Sequence, residues 1–163
     1  LSFSDEHMER LYEKFILEYY KQHHPELNPK SAQVKWNLTE EPDQTMIQFL
    51  PKMQTDITLQ KGDKTLIIDA KYYGKTMIQR YTKDTLRSAH LYQILAYVTN
   101  MDTEHTGNVS GLLLYAKTED EVFPDGEPFV IGGNHIGART LDLNREFSEI
   151  AKQLEHIAIS CLI

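Results

Sequence analysis

The chain has 163 residues, 40% of them apolar, enough to bury the core of one ordinary globular domain, and 17 basic against 24 acidic residues leave it a formal net charge of -7. That charge argues against non-specific attraction to a phosphate backbone unless divalent cations, a local basic strip or a partner offsets it. A single cysteine, Cys161, excludes an intramolecular disulfide framework, and no apolar run reaches the roughly 18 to 20 residues that span a bilayer, so the expectation is a soluble, cytoplasmic chain with no membrane partner.

From about Asp5 to Tyr20, apolar residues recur at Met8, Leu11, Tyr12, Phe15, Ile16 and Tyr19, the spacing of an amphipathic helix, and Pro25 lies beyond its end. Val34 to Leu38 and Met46 to Leu50 are short β-prone stretches. Next, Thr55 to Gln60 and Thr65 to Tyr73 flank the polar turn Lys61-Gly62-Asp63-Lys64, which predicts a β-hairpin. The run Leu66-Ile67-Ile68 in its second arm predicts a strand buried on both faces. After a polar stretch from Lys75 to Lys83, Thr85 to Thr99 returns to helical spacing with Leu91, Ile94, Leu95 and Val98 on one side. On the same helix His90 and Leu86 extend the Gln93 and Tyr97 face, away from that stripe. Gly111 to Ala116 is a further strand, and Asn144 to Ala158 closes the chain as an amphipathic helix. Glu41-Pro42-Asp43 and Phe123 to Pro128 are loops inside one domain, and Gly132-Gly133-Asn134 is a turn. The order helix, strands, helix, strand, helix predicts an α/β fold with helices packed around a mixed sheet.

The chemistry concentrates at the end of the apolar strand. Alternation puts Asp69 and Lys71 on one face and Ala70 on the other, while Asp56, entering the hairpin's first arm, can lie across from them. Two carboxylates with a backbone carbonyl, that of Ala70, between them are hard oxygen ligands of the kind Mg²⁺ takes. A lysine beside them can position an attacking water and offset charge on a phosphoryl group. A lone Asp-x-Lys is more often a solvated strand face. Here the pair ends the most apolar strand of the chain, where an unpaired charge is costly.

Met53-Gln54-Thr55-Asp56-Ile57, then Leu66 to Tyr73 around Asp69-Ala70-Lys71, then Leu91-Tyr92-Gln93-Ile94-Leu95-Ala96-Tyr97 together resemble the nuclease domain of McrC, the cleaving subunit of McrBC modification-dependent restriction systems, within the PD-(D/E)xK superfamily. The resemblance implies a restriction-endonuclease-like core with a central mixed β-sheet flanked by helices. It implies a Mg²⁺-dependent DNA endonuclease, with Mn²⁺ as a substitute, whose metal is held by Asp56, Asp69 and the Ala70 carbonyl. Lys71 would orient the water and Gln93 would hold a phosphate oxygen or that water, with Tyr97 on the same helical face. Leu11 to Phe15 is similar to the family's first-helix pattern, in which a glutamate joins the metal site. Glu13 is therefore a candidate ligand, though its place on the flank of the apolar stripe equally suits a surface glutamate. The family's proline before the first aspartate is replaced by Thr55, which alters backbone shape and keeps the ligand.

The resemblance also implies partners: DNA, and an McrB-like AAA+ GTPase motor carrying the modified-base reader, since this chain has neither a nucleotide-binding loop nor a reader domain. Double-strand cleavage would need two such sites, met by a transient dimer. The chain opens on Leu1 rather than Met, so the expectation is a single nuclease domain over residues 1–163, the C-terminal part of something longer. Two alternatives stand beside this reading: a catalytically idle assembly or DNA-binding module of the same fold, and a repair or junction nuclease of the superfamily. Other candidates fall away. His23 and His24 are adjacent and point apart, His105 and His135 are expected in loops without ligand spacing, and Tyr72 and Tyr73 read as packing or groove-lining residues. Cys161, at a terminus with no nearby histidine, is a poor nucleophile.

Overall fold

The structure, a computed structural model, describes residues 3–72, 88–117 and 126–162. Helix α1 (Phe3–His23) leads through a short 3-10 turn at Pro25–Leu27 to strand β1 (Gln33–Val34), helix α2 (Gln44–Ile47) and strand β2 (Met53–Gln54). The hairpin β3 (Ile57–Lys61) and β4 (Lys64–Lys71) follows, then α3 (Ser88–Met101), β5 (Val109–Lys117), β6 (Phe129–Ile131), β7 (Asn134–Asp142) and α4 (Phe147–Cys161). Five strands form one mixed sheet in the order β3-β4-β5-β7-β6, parallel across β4-β5-β7 and antiparallel at both edges. The short β1 and β2 pair separately.

Period-two alternation divides the core between the two faces of this sheet. Leu66, Ile68, Ala70, Leu112 and Leu114 pack under α1 and α4 with Tyr12, Ile16, Tyr20, Leu154 and Ile157, whereas Ile67, Leu113 and Tyr115 pack under α3 with Ile94 and Val98. The predicted doubly buried strand is β4, where Leu66, Ile67 and Ile68 are at most 1% exposed. Buried hydroxyls tie the outer layer down: Tyr12 donates to the Leu114 carbonyl and Tyr20 to the Leu154 carbonyl, while His24 and Tyr19 both reach the Glu155 carboxylate. His24 is thus a structural residue, its two ring nitrogens hydrogen-bonded to Glu26 and Glu155. No helix among the described residues is long and apolar enough to cross a membrane.

Several expectations change. Met46 to Leu50 is not a strand: Asp43 caps a one-turn helix by accepting from the Thr45 N–H, and Met46 and Phe49 are 60% and 72% exposed. The strand at Val34 stops there rather than reaching Leu38. The Gly132-Gly133 turn is present, both glycines at positive φ, but it joins β6 and β7, two strands absent from the sequence reading, and it places His135 in a strand. Tyr73, Leu86, the polar stretch from Lys75 to Lys83 and Phe123-Pro124-Asp125 lie outside the described residues.

One close approach carries a stability prediction. A Cβ on Gly111 of β5 would stand 2.6 Å from Ile94 Cγ1 and 2.9 Å from Val98 Cγ2, so the absence of a side chain lets α3 settle on the sheet. Gly111→Ala is expected to destabilise the fold by about 1–3 kcal/mol through overpacking. Thermal unfolding checks this, and an unchanged Tm would show that α3 yields without cost.

Candidate active site

The site forms where β4 ends and the adjoining elements converge on it. The register Ile57↔Ile68 sets Asp56, in the bend just before β3, opposite Asp69. Asp56 Oδ2 accepts the Ala70 N–H at 2.8 Å, so the carboxylate takes over the ladder where backbone pairing stops. Thr55 explains the missing proline. Its N–H donates to the Ala32 carbonyl and its Oγ1 accepts the Ala32 N–H, both at 2.8 Å, so this position anchors the segment before β1 in a way proline, lacking an N–H, could not.

Asp69 and Lys71 project to the α3 side. Lys71 Nζ lies 3.2 Å from Asp69 Oδ1, and the two side chains are 11% and 4% exposed, which makes this a buried ion pair. The ammonium also donates to Gln93 Oε1 at 3.0 Å, and Gln93 Nε2 donates to the Tyr97 hydroxyl at 2.9 Å. The ammonium, which can only donate, fixes the amide oxygen toward the lysine, and the Tyr97 hydroxyl accepts from the other end. The Gln93 face is therefore not turned from the core as expected: His90 and Tyr97 are 6% and 8% exposed. His90 Nδ1 shares a 3.0 Å hydrogen bond with the hydroxyl of Tyr115, the residue paired with Lys71 in the β4-β5 register. Sequence reasoning missed this layer because a histidine at a polar position of an amphipathic helix gives no sign of being buried. Tyr72 packs on Tyr12 with ring centroids 6.0 Å apart, the packing role expected of it.

Negative charge exceeds what Lys71 can balance. Burial pushes the Asp56 carboxyl up to about 9, with neighbouring Asp69 and then Glu13 adding to the rise against the Ala70 N–H. Glu13, on α1, is pushed up to about 7 by burial first, then by Glu9 and Asp69, with Lys71 opposing. Glu9, one helical turn before Glu13, is also raised, mainly by burial, and feels both Lys71 and Asp69. It was not a sequence candidate, although its i, i+4 spacing from Glu13 is the signal that could have found it. Among the described residues no three His, Cys, Asp or Glu side chains converge as a metal-holding group, so Glu13 stands beside the Asp56–Asp69 pair rather than closing a cage with it. Asp69 Oδ2 is buried and, with both carboxyls ionised, accepts no hydrogen bond among the described residues, whereas a protonated Asp56 carboxyl shares its proton with Asp69. An orphaned carboxylate oxygen, a second carboxylate opposite and a backbone carbonyl between them fit a hard divalent cation that keeps several waters.

The sheet with helices on both faces defines a restriction-endonuclease-like α/β domain. In the solved half-complex from a tetradecameric assembly of Thermococcus gammatolerans McrB AAA+ hexamers with bound McrC, a chain shares this fold at a TM-score of 0.54 and 19% identity, over 92% of this chain and 33% of that one. The chain belongs to the McrBC 5-methylcytosine restriction system component family, which matches residues 6–116, and this bears out the McrC resemblance. It is also 32% identical over 151 residues to the type IV methyl-directed restriction enzyme EcoKMcrBC of Escherichia coli (strain K12), covering 93% of this chain. The chain spans 42% of that relative's length.

Proposed function

We propose that this domain is a divalent-metal-dependent endonuclease that hydrolyses DNA phosphodiester bonds as the cleaving part of a modification-dependent restriction system. The observation that carries the reading is the Asp69–Lys71 pair buried at a strand end, with Asp69 Oδ2 unsatisfied and Asp56 opposite. A purely structural ion pair gains little from burial and has no reason to seat a second carboxyl against its acidic member.

The residues divide the work. Asp56, Asp69 and the Ala70 carbonyl would hold Mg²⁺, or Mn²⁺ in its place, and Glu13, beside the pair on α1, would act on a water of the cation rather than on the cation itself. The bound cation supplies Lewis-acid polarisation of a phosphoryl oxygen and lowers the pKa of water. Lys71, held by Asp69 and Gln93, would present its ammonium to the attacking water or a non-bridging oxygen, stabilising the negative charge that builds at phosphorus. Tyr97 accepts from the Gln93 amide and holds that side chain in place beside the lysine. The net charge of -7 fits a cutter to which other subunits deliver the DNA, and the assembly named for the Thermococcus structure motivates an McrB-like AAA+ GTPase as that partner.

The test is cleavage of supercoiled plasmid, methylated and unmethylated, with Mg²⁺, Mn²⁺ or EDTA, and with or without the GTPase and GTP. Metal-dependent nicking or linearisation is expected, enhanced on methylated DNA when the partner is present. A folded chain that cuts under none of these conditions would sink the proposal in favour of an idle assembly module.

A further inference from the structure

A cavity of about 500 Å³ opens at the other end of the sheet, between the starts of the parallel strands and the last turns of α4. Lys64, the first residue of β4, lines it, whereas Lys71 is the last. At about 3.3 Å per residue the two ends lie roughly 23 Å apart, so this space is separate from the candidate active site. Among the described residues its charged lining is Lys64 on β4 and Arg139 on β7 against Glu127, with the imidazoles of His135 and His156 beside them.

Arg139 is the telling residue. The register with Leu114 puts it on the α4 face of β7, where it is half-buried, and among the described residues its guanidinium makes neither an ion pair nor a hydrogen bond. A partly desolvated guanidinium without a counter-charge is costly, and its planar fork of donors matches an oxyanion. The ammonium of Lys64 and the imidazole N–H groups of His135 and His156 add donors around the same space. The volume exceeds that of a bare phosphate and falls in the range of small-molecule sites, with apolar surface at Leu112 to meet an organic body.

We propose that this cavity is an anion site for a phosphorylated small molecule of nucleoside-monophosphate size, with Arg139 and Lys64 holding the phosphate. Isothermal titration in metal-free buffer near neutral pH, using adenosine 5′-monophosphate and inorganic phosphate, tests it. The nucleotide should bind more tightly than phosphate. Arg139→Gln should weaken both ligands at least about tenfold, a loss of about 1.4 kcal/mol. Lys64→Gln, at an exposed side chain, should weaken both without disturbing the fold and gives the answer if Arg139→Gln unfolds. Asp69→Asn should leave binding unchanged. No binding by the wild-type chain, binding indifferent to Arg139→Gln and Lys64→Gln, or loss only in Asp69→Asn would each overturn the site. Equal affinity for the two ligands would overturn its assignment to a small molecule larger than phosphate.

Discussion

Asp69→Asn and Lys71→Met are each expected to lower metal-dependent DNA cleavage by at least about 10³-fold, the scale seen when one electrostatic stabiliser or proton-handling group is removed from a preorganised site. The two variants should part company in stability. Asparagine removes the counter-charge of Lys71 but keeps an oxygen facing Nζ, now 3.2 Å from Asp69 Oδ1, and relieves the crowding between Asp69 and Asp56, so the Tm should fall less than in Lys71→Met. Methionine matches the lysine stem but strands the Asp69 carboxylate, 4% exposed, without its cation, and breaking one side of a buried pair costs about 3–5 kcal/mol. If the pair were only a structural salt bridge, activity would fall in step with Tm in both variants. A stable, DNA-binding, inactive Asp69→Asn protein separates the two accounts, and an active one removes Asp69 from the chemistry.

The parts of this site that could be read from sequence are those whose geometry is set locally. A four-residue turn and an apolar run fix the β3–β4 hairpin, and alternation then leaves Asp69 and Lys71 no choice but to share a face. Asp56 follows from the same register, and Gln93 from the family resemblance. What could not be read depends on where distant elements cross. Glu9 is an ordinary helical glutamate until α1 passes the end of β4, and His90 reads as a surface residue until Tyr115 offers its hydroxyl from β5. The β6–β7 hairpin hides for another reason. Phe129-Val130-Ile131 is too short to show a period, and β7 mixes His135, Gly137 and Arg139 with apolar residues, its pairing with β5 being set by tertiary contact. At Met46 to Leu50 local chemistry was present but outweighed in the reading: the Asp43 cap, two residues before Thr45, starts a helical turn that β-prone residues do not prevent.

Asp56→Asn should stabilise the metal-free protein, by an amount on the order of 1 kcal/mol and so about 2–4 °C in Tm, while abolishing both cleavage and the stabilisation given by added Mg²⁺. Asparagine can still accept the Ala70 N–H through its amide oxygen, so the local hydrogen bond survives. What disappears is a carboxyl that burial, with Asp69 and Glu13 beside it, pushes up to about 9 in the folded chain. The sign follows from linkage. A group whose folded pKa is raised contributes stability below its unfolded value, near 3.9, and that contribution is lost as pH rises through the folded value. The metal-free wild type should therefore lose stability progressively from about pH 4 toward about pH 9, and the Asp56→Asn chain should lose less over the same window. A divalent cation seated between Asp56 and Asp69 would favour the ionised carboxyls, so Mg²⁺ should flatten the slope in the wild type and leave the variant's unchanged. Thermal unfolding across that pH range, with Mg²⁺ or EDTA, reads all of these effects together. A variant less stable than the wild type in EDTA, or one still stabilised by Mg²⁺ to the same degree, would remove Asp56 from the metal site and leave it a cap on the end of β4.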